Sequence, residues 1–127
     1  MKIKIKKISA SFPFASKYQN VLNSQIHYVD EGEKNSKYTF LLLHGNPTSS
    51  YIWRNIIPYL SSLGRVIAPD LIGMGKSGKP DIDYAFEDHI EYIDIFIDTL
   101  KLQNIIFVIQ DWGSGIGFHY ATAFAKA

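Results

Sequence analysis

Three short, unbroken apolar runs constrain this 127-residue chain more than any other feature. Tyr38-Thr-Phe-Leu-Leu-Leu43 ends at His44-Gly45, Arg65-Val-Ile-Ala-Pro69 ends at Asp70, and Ile105-Ile-Phe-Val-Ile109 ends at Gln110-Asp111. A strand with one wet face alternates apolar and polar residues. A run without alternation suits a strand covered on both faces, as in a parallel sheet. Helical patterns lie between the runs. Phe86, Ile90, Ile93, Ile97 and Leu100 recur at steps of four and three, which predicts one apolar stripe on a helix. Glu87 and Asp88 sit favourably near its positive end. Ser49 or Ser50 can cap a short helix through Ile57, which Pro58 should kink or end. Residues 115–127 again read as helical. Upstream, residues 24–30 alternate like a half-buried strand, and residues 31–37 form a polar turn. Strands alternating with helices make the fold class α/β, a mostly parallel sheet with helices on both faces.

Composition narrows the function classes. Hydrophobic residues make up 46% and charged residues 20%, which is globular rather than disordered. A net charge of +1 gives no electrostatic reason to expect nucleic acid or an acidic membrane as partner. The one basic cluster, Lys2, Lys4, Lys6 and Lys7, reads as a solvated strand or arm. No cysteine is present, so disulfides and thiolate chemistry are excluded. No apolar run approaches the ~20 residues of a membrane span, and no signal peptide is read at the start. The expected location is the cytoplasm.

The three runs also say where to look for chemistry. His44-Gly45-Asn46, Asp70 and Asp111-Trp112 each follow the C-terminal end of an expected strand, where ligands of open α/β sheets bind. Val108-Ile-Gln-Asp-Trp-Gly113 runs directly from strand to helix, the setting of an elbow that holds a nucleophile above a sheet. Asp111 stands at the nucleophile position and Gly113 supplies the small residue two places on. Ile109 stands where a second small residue would be expected, two places before. A carboxylate can displace a leaving group from saturated carbon and form an alkyl ester, which water must then hydrolyse. The structural alternative for Asp111 is a helix N-cap, and for Asn46 a turn residue before Pro47. Trp53 reads as core.

Two phosphate-loop patterns fail on context. Gly73-Met-Gly-Lys-Ser-Gly78 fits G-x-G-x-x-G, with Asp94 or Asp98 near the required spacing, but Lys79-Pro80-Asp81 follows where a helix should open. Gly75-Lys76-Ser77 lacks the earlier glycine of a P-loop, because Asp70 occupies that position. Asp70 reads as structural. Of the histidines, His44 reads as supporting the site, His27 and His89 as surface or turn residues, and His119 as part of the last helix. No spacing suggests a metal site.

Taken together, residues 44–51 (His-Gly-Asn-Pro-Thr-Ser-Ser-Tyr), 68–77 (Ala-Pro-Asp-Leu-Ile-Gly-Met-Gly-Lys-Ser) and 111–114 (Asp-Trp-Gly-Ser) resemble the haloalkane dehalogenases in order and spacing. The resemblance covers nearly the whole chain and implies the N-terminal part of an α/β-hydrolase fold, with residues 1–127 an incomplete core domain lacking lid and C-terminal part. It implies that Asp111 is the nucleophile and that Asn46 and Trp112 hold the departing halide through their side chains and form the oxyanion hole through their backbone N–H groups. His44, Gly45 and Gly113 would support them. It further implies a halogenated alkane and water as partners, no cofactor, no metal, a monomer when complete, and a base histidine and its acid beyond Ala127. Epoxide hydrolases and Renilla-type luciferases resemble the same pattern, and a truncated, non-catalytic protein is the reading from a different class. The third apolar run, left uncovered, should behave as an aggregation-prone edge.

Overall fold

The computed structural model describes residues 5–124. Five strands form one sheet: β1 (Lys17–Val21), β2 (Ser24–Glu31), β3 (Thr39–Leu43), β4 (Arg65–Pro69) and β5 (Ile105–Ile109), in the spatial order β1-β2-β4-β3-β5. The three apolar runs are β3, β4 and β5, and they pair in parallel, with Leu41 opposite Ile67 on one side and Phe107 on the other. β1 and β2 join them antiparallel, so the sheet is mixed. Arg65 on β4 forks onto the Asp30 carboxylate of β2 at 2.8 and 3.0 Å, tying the antiparallel half to the parallel half.

Alternation along β3 divides the core in two. Leu41 and Leu43 face a cluster that includes Ile67, Ile93, Phe96, Ile97 and Ile116. Leu42 faces the opposite way, onto Val66, Ala68, Trp53 and Ile57. The first face is covered by α2 (Phe86–Thr99) and α3 (Trp112–Phe124), the second by a 3-10 turn (Ser50–Trp53) and α1 (Ile57–Leu60). Helices therefore lie on both faces, and Trp53 is core. Each fully buried leucine of β3 contributes roughly 1.5–3 kcal/mol through removal of apolar surface from water.

Three local expectations change. Pro58 does not end a helix: Ser49 caps only the 3-10 turn, and Pro58 sits in the first turn of α1. First-turn amides have no partner within the helix, so a residue without an N–H is tolerated there. The strand at 24–30 is not half-buried. Ile26, His27, Tyr28 and Val29 are all buried, because β2 lies inside the sheet between β1 and β4. The apolar stripe of α2 is broader than its sequence spacing: His89, Tyr92 and Phe96 are buried with Ile93 and Ile97, while Phe86, Ile90 and Leu100 are half-buried. The helix packs against the sheet and α3 together, so its covered arc widens. Asp88 accepts the Ala85 N–H at 2.9 Å, securing the start of the helix as an acid there should.

Of the basic cluster, Lys2 and Lys4 lie outside the described residues. Lys6 and Lys7 belong to an exposed, extended arm moored at the Tyr59 hydroxyl, which accepts the Lys6 N–H, and at the Asn55 side-chain Oδ1, which accepts the Ser9 N–H. Among the described residues no helix is long and apolar enough to cross a membrane.

Candidate active site

The parallel strands deliver two loops to one point. β3 ends in His44-Gly45-Asn46 and β5, its direct neighbour, ends in Gln110-Asp111. The ladder continues one step past β5, with the Gln110 N–H donating to the Leu43 carbonyl at 3.2 Å. The chain then reverses into α3 through Asp111, whose φ is +55°. That left-handed conformation is costly for a residue with a Cβ and is found at sites where the fold must aim a side chain. The Gly113 N–H returns to the Gln110 carbonyl at 2.9 Å and the Ser114 N–H to the Asp111 carbonyl at 2.9 Å, closing the elbow.

Close packing dictates the glycines. A Cβ on Gly113 would stand 2.1 Å from the Leu43 carbonyl oxygen, and one on Gly45 would stand 2.4 Å from the Asp111 Cβ. The small residue missing two places before Asp111 is replaced from elsewhere. Gly117 on α3 makes room for Ile109, since a Cβ there would meet the isoleucine methyl at 2.9 Å. Reading one turn further into the helix would have found it.

Asp111 is exposed, and its Oδ2 accepts the backbone N–H of Asn46 at 3.0 Å. That bond and a second from the Trp112 N–H hold its carboxyl below the usual range, so it is ionised at neutral pH. The carboxylate faces two fixed backbone donors contributed by different loops. The side chains of Asn46 and Trp112 line an adjoining cavity of about 490 Å³ together with Ile72, Met74, Tyr84 and His89. Neither side chain makes a hydrogen bond among the described residues. The cavity is thus lined by two side chains with unpaired N–H donors in mainly apolar surroundings, which suits a small apolar ligand with one electron-rich atom.

Beneath the site lies a polar scaffold. His44 is fully buried, and its Nε2 accepts the Leu71 N–H at 2.9 Å. Its Nδ1 therefore carries the proton and donates to the Gly45 carbonyl at 2.7 Å. Burial lowers its pKa, keeping it neutral. This ring ties the loop after β3 to the loop after β4. Asp70 binds three elements: it accepts the Ser50 N–H at 2.7 Å, the Lys76 N–H at 2.9 Å and the His27 Nδ1–H at 2.8 Å. Burial pushes its pKa up, yet these bonds prevail and bring it down to about 2.

His27 is thus no surface residue. It is 1% exposed on β2, between Asp70 and the Ser16 hydroxyl. His89 is likewise buried, on α2 beside Trp112. Both corrections have one physical reason: long-range partners cover rings whose local sequence is polar. His119 is exposed on α3. The glycine-rich loop at 73–78 is a turn with no helix after it until α2. Its Lys76 N–H is taken by Asp70, and its Gly73, Met74, Ser77 and Gly78 N–H groups are taken by backbone carbonyls, which leaves no cradle for phosphate.

Parallel strands flanked by helices, with an aspartate on a strained strand–helix elbow opposite a His-Gly loop, define an α/β hydrolase. The alpha/beta hydrolase fold family matches residues 38–126, and the chain belongs to it. Within that class the chain is similar to haloalkane dehalogenases. It is 56% identical over 101 residues to the haloalkane dehalogenase of Mesorhizobium japonicum, covering 80% of this chain and 32% of that protein. The coelenterazine h 2-monooxygenase of Renilla reniformis is 46% identical over 107 residues, covering 83% of this chain and 34% of that protein. The tetrameric haloalkane dehalogenase of Paraglaciecola agarilytica superposes with a TM-score of 0.85 at 43% identity, over 90% of this chain and 40% of that one. The chain spans about a third of the length of the curated relatives it matches.

Proposed function

We propose that the complete protein hydrolyses carbon–halogen bonds in small haloalkanes, with Asp111 as nucleophile. The observation that carries this reading is the ionised Asp111 carboxylate on a left-handed elbow, facing the Asn46 N–H at 3.0 Å beside a mainly apolar cavity. An Asp111 oxygen attacks the halogen-bearing carbon, the carbon–halogen bond breaks, and the halide leaves with the bonding electrons. The Asn46 amide and the Trp112 indole N–H receive the growing anion. Fixed donors in apolar surroundings need no reorganisation as charge develops, so they favour the transition state. The product is a neutral alkyl ester of Asp111. Water then adds to the ester carbonyl, and the backbone N–H groups of Asn46 and Trp112 hold the oxyanion. Collapse releases the alcohol and restores the carboxylate.

Water needs a base, and no described histidine serves. His44 is engaged on both nitrogens, His27 is held by Asp70 and Ser16, His89 is buried, and His119 is exposed on α3. The similarity to longer dehalogenases supports a base and its acid on the part of the protein outside the matched third. The 127-residue chain should accordingly take one alkyl group on Asp111 and hold it. Incubation with 1-bromobutane followed by intact-mass measurement tests this: one added butyl group, lost in Asp111→Asn, is expected. An unmodified chain, or steady multiple-turnover bromide release from it, would sink the mechanism. Similarity to the Renilla monooxygenase favours a second reading, oxidation of a coelenterazine-like substrate. Light emission on adding coelenterazine, without bromide release from bromobutane, would establish it.

A further inference from the structure

His89 has no task in the mechanism above, yet its surroundings are costly. The ring is 0% exposed, and neither Nδ1 nor Nε2 has a hydrogen-bond partner. Burial keeps it neutral, so it carries one N–H and one lone pair. A buried donor or acceptor left unpaired forfeits its hydration without return. Phenylalanine would occupy similar space at no such cost. A polar ring retained in that place argues for a role other than stability.

Its neighbours indicate the role. His89 lines the cavity and meets the Trp112 indole at 5.5 Å between centroids, with the rings at 79°. Phe86 meets the same indole at 5.9 Å and 81°. Phe86 and His89 stand three residues apart on α2, which puts them on one helix face. Two edge-to-face contacts thus come from one rigid element onto the tryptophan whose own N–H is free.

We propose that His89 is a positioning residue for Trp112: with Phe86 it clamps the indole so that its free N–H faces the cavity, and the polar edge of the imidazole sets the angle. The binding consequence rests on the reading of Trp112 as an anion donor. The positioning itself does not.

The test uses protein expressed from the complete coding sequence and two readouts. One is bromide binding, followed by quenching of tryptophan fluorescence. The other is the Trp112 indole N–H resonance, assigned by its loss in Trp112→Phe. His89→Phe keeps an aromatic ring and removes both nitrogens. Its expected result is an equal or higher Tm, bromide binding weaker by about fivefold, the scale of one lost polar contact, and a displaced indole resonance. Parental affinity with an unmoved resonance overturns the proposal. Should His89→Phe melt below the parent, His89→Gln decides, because it restores an N–H without the ring. Recovery of binding toward the parent supports the polar role, and a loss equal to that of phenylalanine overturns it. If the parent itself shows no saturable quenching, the halide reading fails, and the indole resonance alone decides on His89.

Discussion

Asp70 and Asp111 follow the two strands that flank β3 in the parallel part of the sheet, and their surroundings differ in opposite ways. Both follow strands, and both carboxyls are held low by hydrogen bonds, Asp70 first by the His27 ring and then by backbone N–H groups, Asp111 by the backbone N–H groups of Asn46 and Trp112. Asp70 is 2% exposed and shared among the 3-10 turn, β2 and the glycine loop. Asp111 is exposed, sits at positive φ, and has a cavity beside it. A carboxylate whose oxygens are spoken for organises its surroundings. One held from behind by amides and open in front is available to react. Residue type and strand position do not separate the two roles; the direction from which each is satisfied does.

The largest effect expected from this contrast is chemical. Asp111→Asn should abolish alkylation altogether while leaving the denaturation midpoint near that of the parent, as read by mass spectrometry and urea unfolding. Asp70→Ala should do the reverse, destabilising the fold by roughly 3–5 kcal/mol because it strands a buried imidazole and two amides. If Asp111 proves the more destabilising site, the contrast is wrong. Next, Asn46→Ala removes one cavity-facing donor but keeps the backbone N–H on Asp111. Alkylation by 1-bromobutane should slow on the order of 10²-fold, measured as a single-turnover rate.

The acid limb sharpens the comparison further. The folded pKa of Asp70, about 2, lies below its ordinary value of 3.8. Its contribution is therefore fully present above pH 4 and lost as pH falls through about 2, amounting to about 2 kcal/mol. Unfolding measured between pH 5 and 2 should show that loss in the parent and not in Asp70→Asn. The smallest effect is conformational. Asp111→Gly relieves the left-handed backbone and should raise Tm by ~2–5 °C, at the expense of all activity.

The parallel strands and α2 were readable because their signals are local: unbroken apolar runs and a helical repeat. Asn46, Asp111 and Trp112 were readable as a set because strand ends converge wherever strands run parallel. Two of the histidines were not readable. His27 is buried by Asp70, 43 positions away, and His89 by Trp112, and no local pattern carries either partner. Pro58 misled because the same missing N–H that ends one helix is harmless at the start of the next. The elbow looked incomplete at Ile109 because its compensating glycine, Gly117, lies across a packing contact rather than in the motif.

The pairing of β5 directly against β3 has a consequence for how the molecule comes into being. The amide of Asn46 reaches Asp111 across 65 residues of chain. As synthesis proceeds from the N-terminus, β1 to β4 have emerged long before Asp111 has. Until β5 slots in beside β3, that carboxylate is an ordinary acid in solution. The meeting of Asn46 and Asp111 thus waits on β5, and, on the proposed function, an alkylating probe added during refolding becomes a clock for that single docking event.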